Sequence, residues 1–485
     1  MTIASHSSPV STGATSAPLS KDPFPTPPGG RVEPPTRVSV MARLDRIPAL
    51  TRSHYQWMAL LGFFFAFDLV DLNTFAYAAP ALRSEWGLSI DDVGHISSIG
   101  FAGMFLGAVV GGRLSDRFGR RPVLLSAVVV FSVFSLLSAA AQNEWQLATL
   151  RFLTGVGLQA MTGVLLVWVS EMYPARIRGR SQSLILALGF IGVPIVAFTA
   201  RAVVPIGPGY WRWVFVIGGV GLLGGLVALK RLPESLRWQS QNGHEEQAEA
   251  LIARLEAEAV ARTGTALPEP VERPMVPQAK LADLFRRGNL RRLVATTLVC
   301  VFLILCFYGF NAWVPTLLAA NGYTTSQALN YSSILSIAAV PGALLAIPII
   351  DRFDRRRVLL GIETVVAAML LVFGLVDNAV TLVISGFLAT MLLQCGVAVI
   401  YTYIAEVFPT SQRGLGAGIA NGSGRLAGVI GATVVGWVFT GLGFTAVFVY
   451  LAIAAVLMGL VLAIAGDRTT QVALDSVGVD REKAA

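Results

Sequence analysis

Asp116-Arg117-Phe118-Gly119-Arg120-Arg121-Pro122-Val123-Leu124-Leu125 has a counterpart 235 residues further along, Asp351-Arg352-Phe353-Asp354-Arg355-Arg356-Arg357-Val358-Leu359-Leu360. The same shift carries Pro80 to Pro315, Gly87 to Gly322, Gln159 to Gln394, Glu171 to Glu406, Pro174 to Pro409 and Arg178-Gly179 to Arg413-Gly414, without a gap. One register kept across roughly 100 residues marks an internal repeat. The chain is read as two related halves, each built around this charged turn.

The turns sit in an apolar background. Of 485 residues, 54% are hydrophobic and 14% charged, whereas soluble domains carry roughly 25% charge. So little charge cannot clothe a soluble protein of this size, which points to an integral membrane protein. Twelve continuous apolar stretches reach the roughly 20 residues needed to cross a bilayer as a helix. They lie near 55–79, 91–112, 122–142, 146–170, 181–203, 211–231, 292–319, 328–350, 357–376, 379–405, 414–438 and 443–466. Barrel strands would be short and alternating, and these stretches are neither. The expected fold is an all-α membrane protein of twelve transmembrane helices in two six-helix pseudo-repeats.

The expected domains are a disordered tail (1–54), a six-helix half (55–231), a linker (232–291), a second half (292–466) and a tail (467–485). Residues 1–54 are rich in Ser, Pro, Thr and Arg and lack the apolar core of a signal peptide. In the linker, Ala248, Leu251, Ile252, Leu255 and Ala259 share one helical face, before Pro268, Pro270, Pro274 and Pro277 break the pattern. One or two surface helices are expected there.

The net charge of +8 would suggest nucleic acid in a soluble protein, but here it reports topology. Of 37 Lys and Arg, Arg83, Arg201 and Arg212 fall in or at the edges of odd-numbered loops and Arg151 and Arg425 deep within spans, leaving 32 in the tails and in or at the edges of even-numbered loops. The positive-inside rule then places both termini and the linker in the cytoplasm of a multi-pass plasma-membrane protein. Cys300, Cys306 and Cys395 lie in apolar stretches with no CxxC pair, so neither disulfides nor a metal site is implied.

Gly112-Arg113-Leu114-Ser115-Asp116-Arg117-Phe118-Gly119-Arg120-Arg121 resembles the loop 2–3 signature of the major facilitator superfamily. Glu171-x-x-Pro174-x-x-x-Arg178-Gly179 is similar to its loop 4–5 motif, and Pro233-Glu234-Ser235-Leu236-Arg237-Trp238 to its sugar-porter motif after span 6. The resemblance covers residues 55–466. It implies secondary transport by alternating access, with a proton gradient as energy source and no cofactor. The partners implied are a small-molecule substrate, protons and the bilayer, with no nucleic acid, and the carrier is expected to be a monomer. It also implies a gate of charge pairs that close the cytoplasmic side in the outward-facing state. In this chain the gate falls on Gly112, Asp116, Arg117, Gly119, Arg120, Arg121, Glu171, Arg178, Asp351, Arg355, Glu406 and Arg413. Glycines suit a tight turn and arginines can pair across loops; arginines that only fix topology and touch lipid phosphate are the plainer reading.

Ionisable residues within spans are costly and therefore candidates for function. Asp68 and Asp71, three apart in span 1, share a helix face. At 1.5 Å per residue Asp71 lies roughly 22 Å from the cytoplasmic start. Arg151, in the oppositely directed span 4, falls at matching depth, so an Asp–Arg pair is geometrically open. The second half has Leu303, Cys306 and Gly386 at the three equivalent positions. This one-sidedness favours function over scaffold, and proton coupling is expected at Asp68, Asp71 and Arg151; a static pair locking spans 1 and 4 is the alternative. Resemblance to proton-coupled symporters agrees, although the glycine usual after the first aspartate is Leu69 here.

Arg425 lies near mid-membrane in span 11, where a forked, permanent cation suits a substrate carboxylate. Pairing with an internal acid is the other reading. Asn73, Gln159, Tyr308, Asn311, Gln394 and Tyr401 are further candidate substrate contacts, each equally able to act as glue between helices. Uptake of a small organic acid, aromatic acids included, is the favoured expectation. Sugar uptake is the nearest rival, supported by residues 233–238. Against it, Leu186 stands where glucose-type porters present glutamine, and Phe307-Tyr308-Gly309-Phe310-Asn311-Ala312-Trp313 lacks their glutamine-rich pattern. Gly189-Phe190-Ile191-Gly192-Val193-Pro194 only faintly echoes an exporter motif, and a transporter-like sensor would lack a signalling domain. An enzyme is disfavoured: no nucleophile–base pair, metal cluster or GxxxxGK[ST] loop appears.

Overall fold

The structure is a computed structural model that describes residues 38–272, 281–409 and 412–467. The expected tails over 1–37 and 468–485, and the side chain of Asp351, lie outside the described residues. Among the described residues only helices form, and twelve are long and apolar enough to cross a membrane. They are span 1 (Arg52–Trp86), span 2 (Ile90–Phe118), span 3 (Arg120–Ser138), span 4 (Glu144–Met172), span 5 (Ala175–Ile206) and span 6 (Arg212–Arg231). The second set is span 7 (Asn289–Asn311), span 8 (Thr325–Ile349), span 9 (Arg355–Leu375), span 10 (Ala379–Ile404), span 11 (Arg413–Leu442) and span 12 (Phe444–Ala465).

The starts are set by local chemistry. Thr51, Ser89 and Thr324 cap spans 1, 2 and 8 through boxes closed by His54, Asp92 and Gln327. Asn143, Asp354 and Asn378 cap spans 4, 9 and 10 with their side chains. Gly87, at φ 67°, ends span 1 in the left-handed region.

Two expectations need correction. Span 7 was expected to run to residue 319, but its helix stops at Asn311 and a separate helix, Val314–Ala320, begins with Pro315 in its first turn. Proline has no N–H to continue the ladder of span 7 but suits a helix start. The tail was expected to be disordered through residue 54, yet Val40–Asp45 is a helix. Leu44 and Ile47 are buried, and Arg43 and Arg46 pair with Glu256 at 2.7 Å each. Low apolar content hid this segment, because its partners lie more than 200 positions away.

Glu256 belongs to the expected linker helix, Glu245–Thr263, which buries Ala248, Ile252, Leu255 and Ala259. Two shorter linker helices, Leu236–Gln241 and Leu281–Leu284, flank it. Ser53 donates to Glu258, and Asp45 accepts from the Ala175 N–H at 2.7 Å, so the pre-span segment fastens the linker helix and the start of span 5 to one half.

Because the spans alternate in direction, the linker leaves and re-enters the bundle at one end, called here the linker end. At the other, far end, the two halves touch. Ser98 donates to the Val429 carbonyl at 2.6 Å and shares a bond with Thr433; Ser333 donates to the Ala197 carbonyl at 3.1 Å. Thr440 donates to Asp91 at 3.3 Å. Toward the linker end, Gly112 of span 2 and Gly414, Gly418 and Gly422 of span 11 have no atom from a neighbouring element within 4 Å of where a side chain would begin.

Candidate functional site

Span 1 places Asp71 fully buried, and span 4 brings Arg151 to it. The guanidinium donates to Asp71 Oδ2 at 3.1 Å, to the Asp71 carbonyl at 3.1 Å and to Thr74 Oγ1 at 3.4 Å. Ser135, on span 3, donates to Asp71 Oδ1 and lies 3.0 Å from the Phe215 carbonyl. The Phe215 ring of span 6 sits 5.8 Å from the Arg151 guanidinium carbon. A fully buried charge needs such compensation, because its desolvation is only offset by a close partner and further hydrogen bonds. Span 6 approaches closely enough to complete the cluster because residue 218 is glycine: a Cβ there would collide with Asp71 Oδ1 and Ser135 Oγ.

Asp68, one turn nearer the linker end, is also buried, with Thr162 beside it. It lies within electrostatic reach of Arg425 from the other half. Arg425 donates to the Tyr308 hydroxyl at 3.2 Å, a neutral acceptor, and forms no direct carboxylate bond among the described residues. Tyr401, 42% exposed, also lies within reach of Arg425.

A cavity of about 50 Å³ lies between the halves, with Asn73, Phe101, Arg151 and Tyr308 among its lining residues. Phe101 and Tyr308, from opposite halves, meet edge to face at 4.9 Å. Asn73 and Asn311 turn their amide N–H groups back onto the Leu69 and Phe307 carbonyls, leaving their oxygens for other partners. Thr390 takes that of Asn311 at 3.4 Å. Gln159 and Gln394 do not line the cavity; Gln394 is buried against Gly342 with its amide nitrogen unbonded.

The loop residues form two networks. In the first half Arg120 is buried and bonds Glu171 through both forks, at 2.9 and 3.0 Å. Ser235 adds a bond to Glu171 at 2.5 Å, and Asp116 reaches Arg120 at 3.1 Å while remaining largely exposed. Glu234 accepts the Arg120 and Arg121 backbone N–H groups at 2.9 and 3.1 Å. Arg121 donates onward to the Leu229 carbonyl at 2.6 Å, and Arg178 to that of Tyr173 at 3.2 Å. Arg117 lies over Phe118, and Gly112 is exposed. Gly119 takes φ 103°, and a Cβ there would strike Glu234. In the second half Arg355 donates to Glu406 at 2.9 Å, and the Arg413 N–H donates to the Pro409 carbonyl. Both Arg–Glu pairs are separated by 51 positions.

Sequence reasoning missed Ser135, Thr74, Thr162 and Gly218. Ser132, Ser135 and Ser138 recur every three residues in an apolar span, which was a usable signal for a polar face. It also passed over Glu363, a buried acid inside span 9.

The comparisons with known proteins agree with this architecture. The family described as sugar (and other) transporter matches residues 55–477. The putative metabolite transport protein YyaJ of Bacillus subtilis is 37% identical over 412 residues, covering 84% of this chain and 91% of the relative. The niacin transporter NiaP of Acinetobacter baylyi is 30% identical over 445 residues, 91% of this chain and 100% of the relative. The 4-hydroxybenzoate transporter PcaK of Pseudomonas putida is 30% identical over 387 residues, 78% of this chain and 85% of the relative. Among solved structures, the inward open xylose transporter XylE from E. coli superposes with a TM-score of 0.69 at 18% identity. That alignment covers 88% of this chain and 99% of XylE, and shows a shared fold. By its matched length, its repeat and its twelve spans, the chain is a multi-pass membrane transporter, not an enzyme, and belongs to the sugar (and other) transporter family of the major facilitator superfamily.

Proposed function

We propose that this carrier takes up a small aromatic carboxylate together with protons by alternating access. The observation that carries the reading is Arg425: a cation between the halves whose direct partner is a phenol, with Asp68 of the other half in electrostatic reach. A substrate carboxylate is the forked acceptor such a guanidinium fits. Phe101, Phe307 and Tyr308 supply ring faces and edges beside it. The niacin and 4-hydroxybenzoate relatives carry ring carboxylates, which supports the class.

Asp71 and Arg151 form the coupling pair. When Asp71 takes a proton it gives up one charge of a buried pair, which changes how spans 1 and 4 hold together. Protons arriving on one side and leaving on the other thereby bias the equilibrium between the two access states. With the positive-inside rule fixing the linker end in the cytoplasm, far-end contact between the halves corresponds to the inward-facing state.

Sugar uptake is the second reading, favoured by the post-span-6 motif at 233–238. Proteoliposomes with an imposed inward proton gradient separate the two. Nicotinate or 4-hydroxybenzoate should accumulate, and Arg425→Ala should lose accumulation. Accumulation of xylose with none of either carboxylate would overturn the proposal.

A further inference from the structure

Glu363 lies eight residues into the span 9 helix, roughly 12 Å from its start at 1.5 Å per residue. It is 1% exposed, and neither carboxyl oxygen has a hydrogen-bond partner among the described residues. Span 10 passes it at Gly396, where a Cβ would stand 3.3 Å from Oε1. Cys395 precedes that glycine, Cys306 of span 7 lies within electrostatic reach, and Tyr450 of span 12 lies within reach of Cys306. No cation forms an ion pair with Glu363 among the described residues.

The contrast with Asp71 is direct. Asp71 is held by a guanidinium, a serine hydroxyl and close helix packing. An ionised Glu363 would carry a bare charge inside the membrane, so the neutral acid is the form compatible with its surroundings. A neutral acid kept only for packing would be expected to give its hydroxyl to a carbonyl, as Ser332, Ser333 and Ser385 do in spans 8 and 10. Glu363 makes no such bond among the described residues. The repeat sharpens this: Glu363 falls on Val128 of the first half, and Asp71 on Cys306 of the second. The buried carboxyls within the membrane therefore lie on different spans in the two halves, Asp68 and Asp71 on span 1 and Glu363 on span 9.

We propose that Glu363 is a second proton-binding site, in the C-terminal half, occupied in this conformation and emptied during the transport cycle. Only the emptying step rests on the proton-coupled reading above.

Two measurements on purified full-length carrier test it. The infrared difference spectrum between wild type and Glu363→Gln at neutral pH should contain the carbonyl stretch of a protonated carboxylic acid, shifted in heavy water. The band should persist when Asp71→Asn is the shared background. In proteoliposomes, the proton-to-substrate ratio from reversal potentials should fall by one in Glu363→Gln, with substrate exchange retained. A missing band overturns the proposal whatever the coupling mechanism. A band with an unchanged ratio overturns the emptying step. A band together with no proton dependence in wild type overturns the symport reading and leaves Glu363 a fixed acid, which also ends the proposal.

Discussion

Span 3 begins with its first N–H groups held by Glu234, 114 positions away, whereas span 9 begins with a cap from Asp354 beside it. The two residues solve the same problem, since the first N–H groups of any helix lack an internal partner. In the N-terminal half the remote solution joins loop 2–3, the end of span 4 and the segment after span 6 through Arg120, Glu171, Ser235 and Glu234. The C-terminal half keeps the Arg355–Glu406 pair but replaces Gly119 with an ordinary capping aspartate at φ −63°. The ionisable residues within the membrane also differ, with Asp68 and the compensated Asp71–Arg151 pair in one half and Arg425 and Glu363 in the other. The duplicated scaffold has thus been kept while the polar chemistry has diverged.

The largest effects are expected where that divergence is greatest. Arg151→Ala leaves Asp71 buried without its cation, and breaking one side of a buried pair costs about 3–5 kcal/mol. Asp71→Asn removes the charge with little change of shape. Proton-driven accumulation should be abolished in both, with counterflow exchange retained in Asp71→Asn; undiminished accumulation by Asp71→Asn would exclude it from coupling. Arg425→Ala should by contrast abolish exchange as well, which separates substrate binding from energy coupling.

Asp116→Asn comes next. It leaves the Arg120–Glu171 pair in place and removes an exposed charge at 3.1 Å from Arg120. If Asp116 serves the gate, transport is lost while membrane insertion is normal. Wild-type uptake would reduce this carboxylate to a topological marker.

Paired substitutions at the two helix starts should differ in size. Gly119→Ala forces a side chain into φ 103° and against Glu234, at about 1–3 kcal/mol of strain. Asp354→Ala removes a side-chain cap, typically about 1 kcal/mol. The melting temperature in detergent should fall more for the first; equal losses would mean that the Glu234 clamp adds nothing beyond local capping.

How much of this was legible in the sequence differs by region. The repeat offset and twelve apolar stretches carried the fold, and a constant rise per residue placed Asp71 opposite Arg151. Depth along a helix, however, says little about rotation around it, so Ser135 and Gly218 of spans 3 and 6 stayed hidden although they complete the cluster. Glu234 was visible as part of a motif, but its target was not, because a hydrogen bond to a remote N–H leaves no pattern in residue types. The helix Val40–Asp45 escaped for a related reason: its stability comes from Glu249 and Glu256 of the linker rather than from its own composition. Span 7 was overextended because an apolar run through Pro315 reads the same whether one helix or two compose it.

The smallest effect tests the clamp through pH. Burial raises the Glu234 carboxyl above its ordinary 4.5, against the opposing N–H groups of Ser235, Arg121 and Arg120. A group that holds its proton more tightly in the folded state contributes stability below its unfolded value, and that contribution is lost as pH rises through the folded one. Wild type should therefore lose melting temperature relative to Glu234→Gln as pH rises from about 4.5. Glutamine keeps one acceptor oxygen for the backbone N–H groups and cannot ionise. Parallel melting curves for wild type and Glu234→Gln would mean that the remote cap carries its charge without penalty, and the two halves would then differ in connectivity alone.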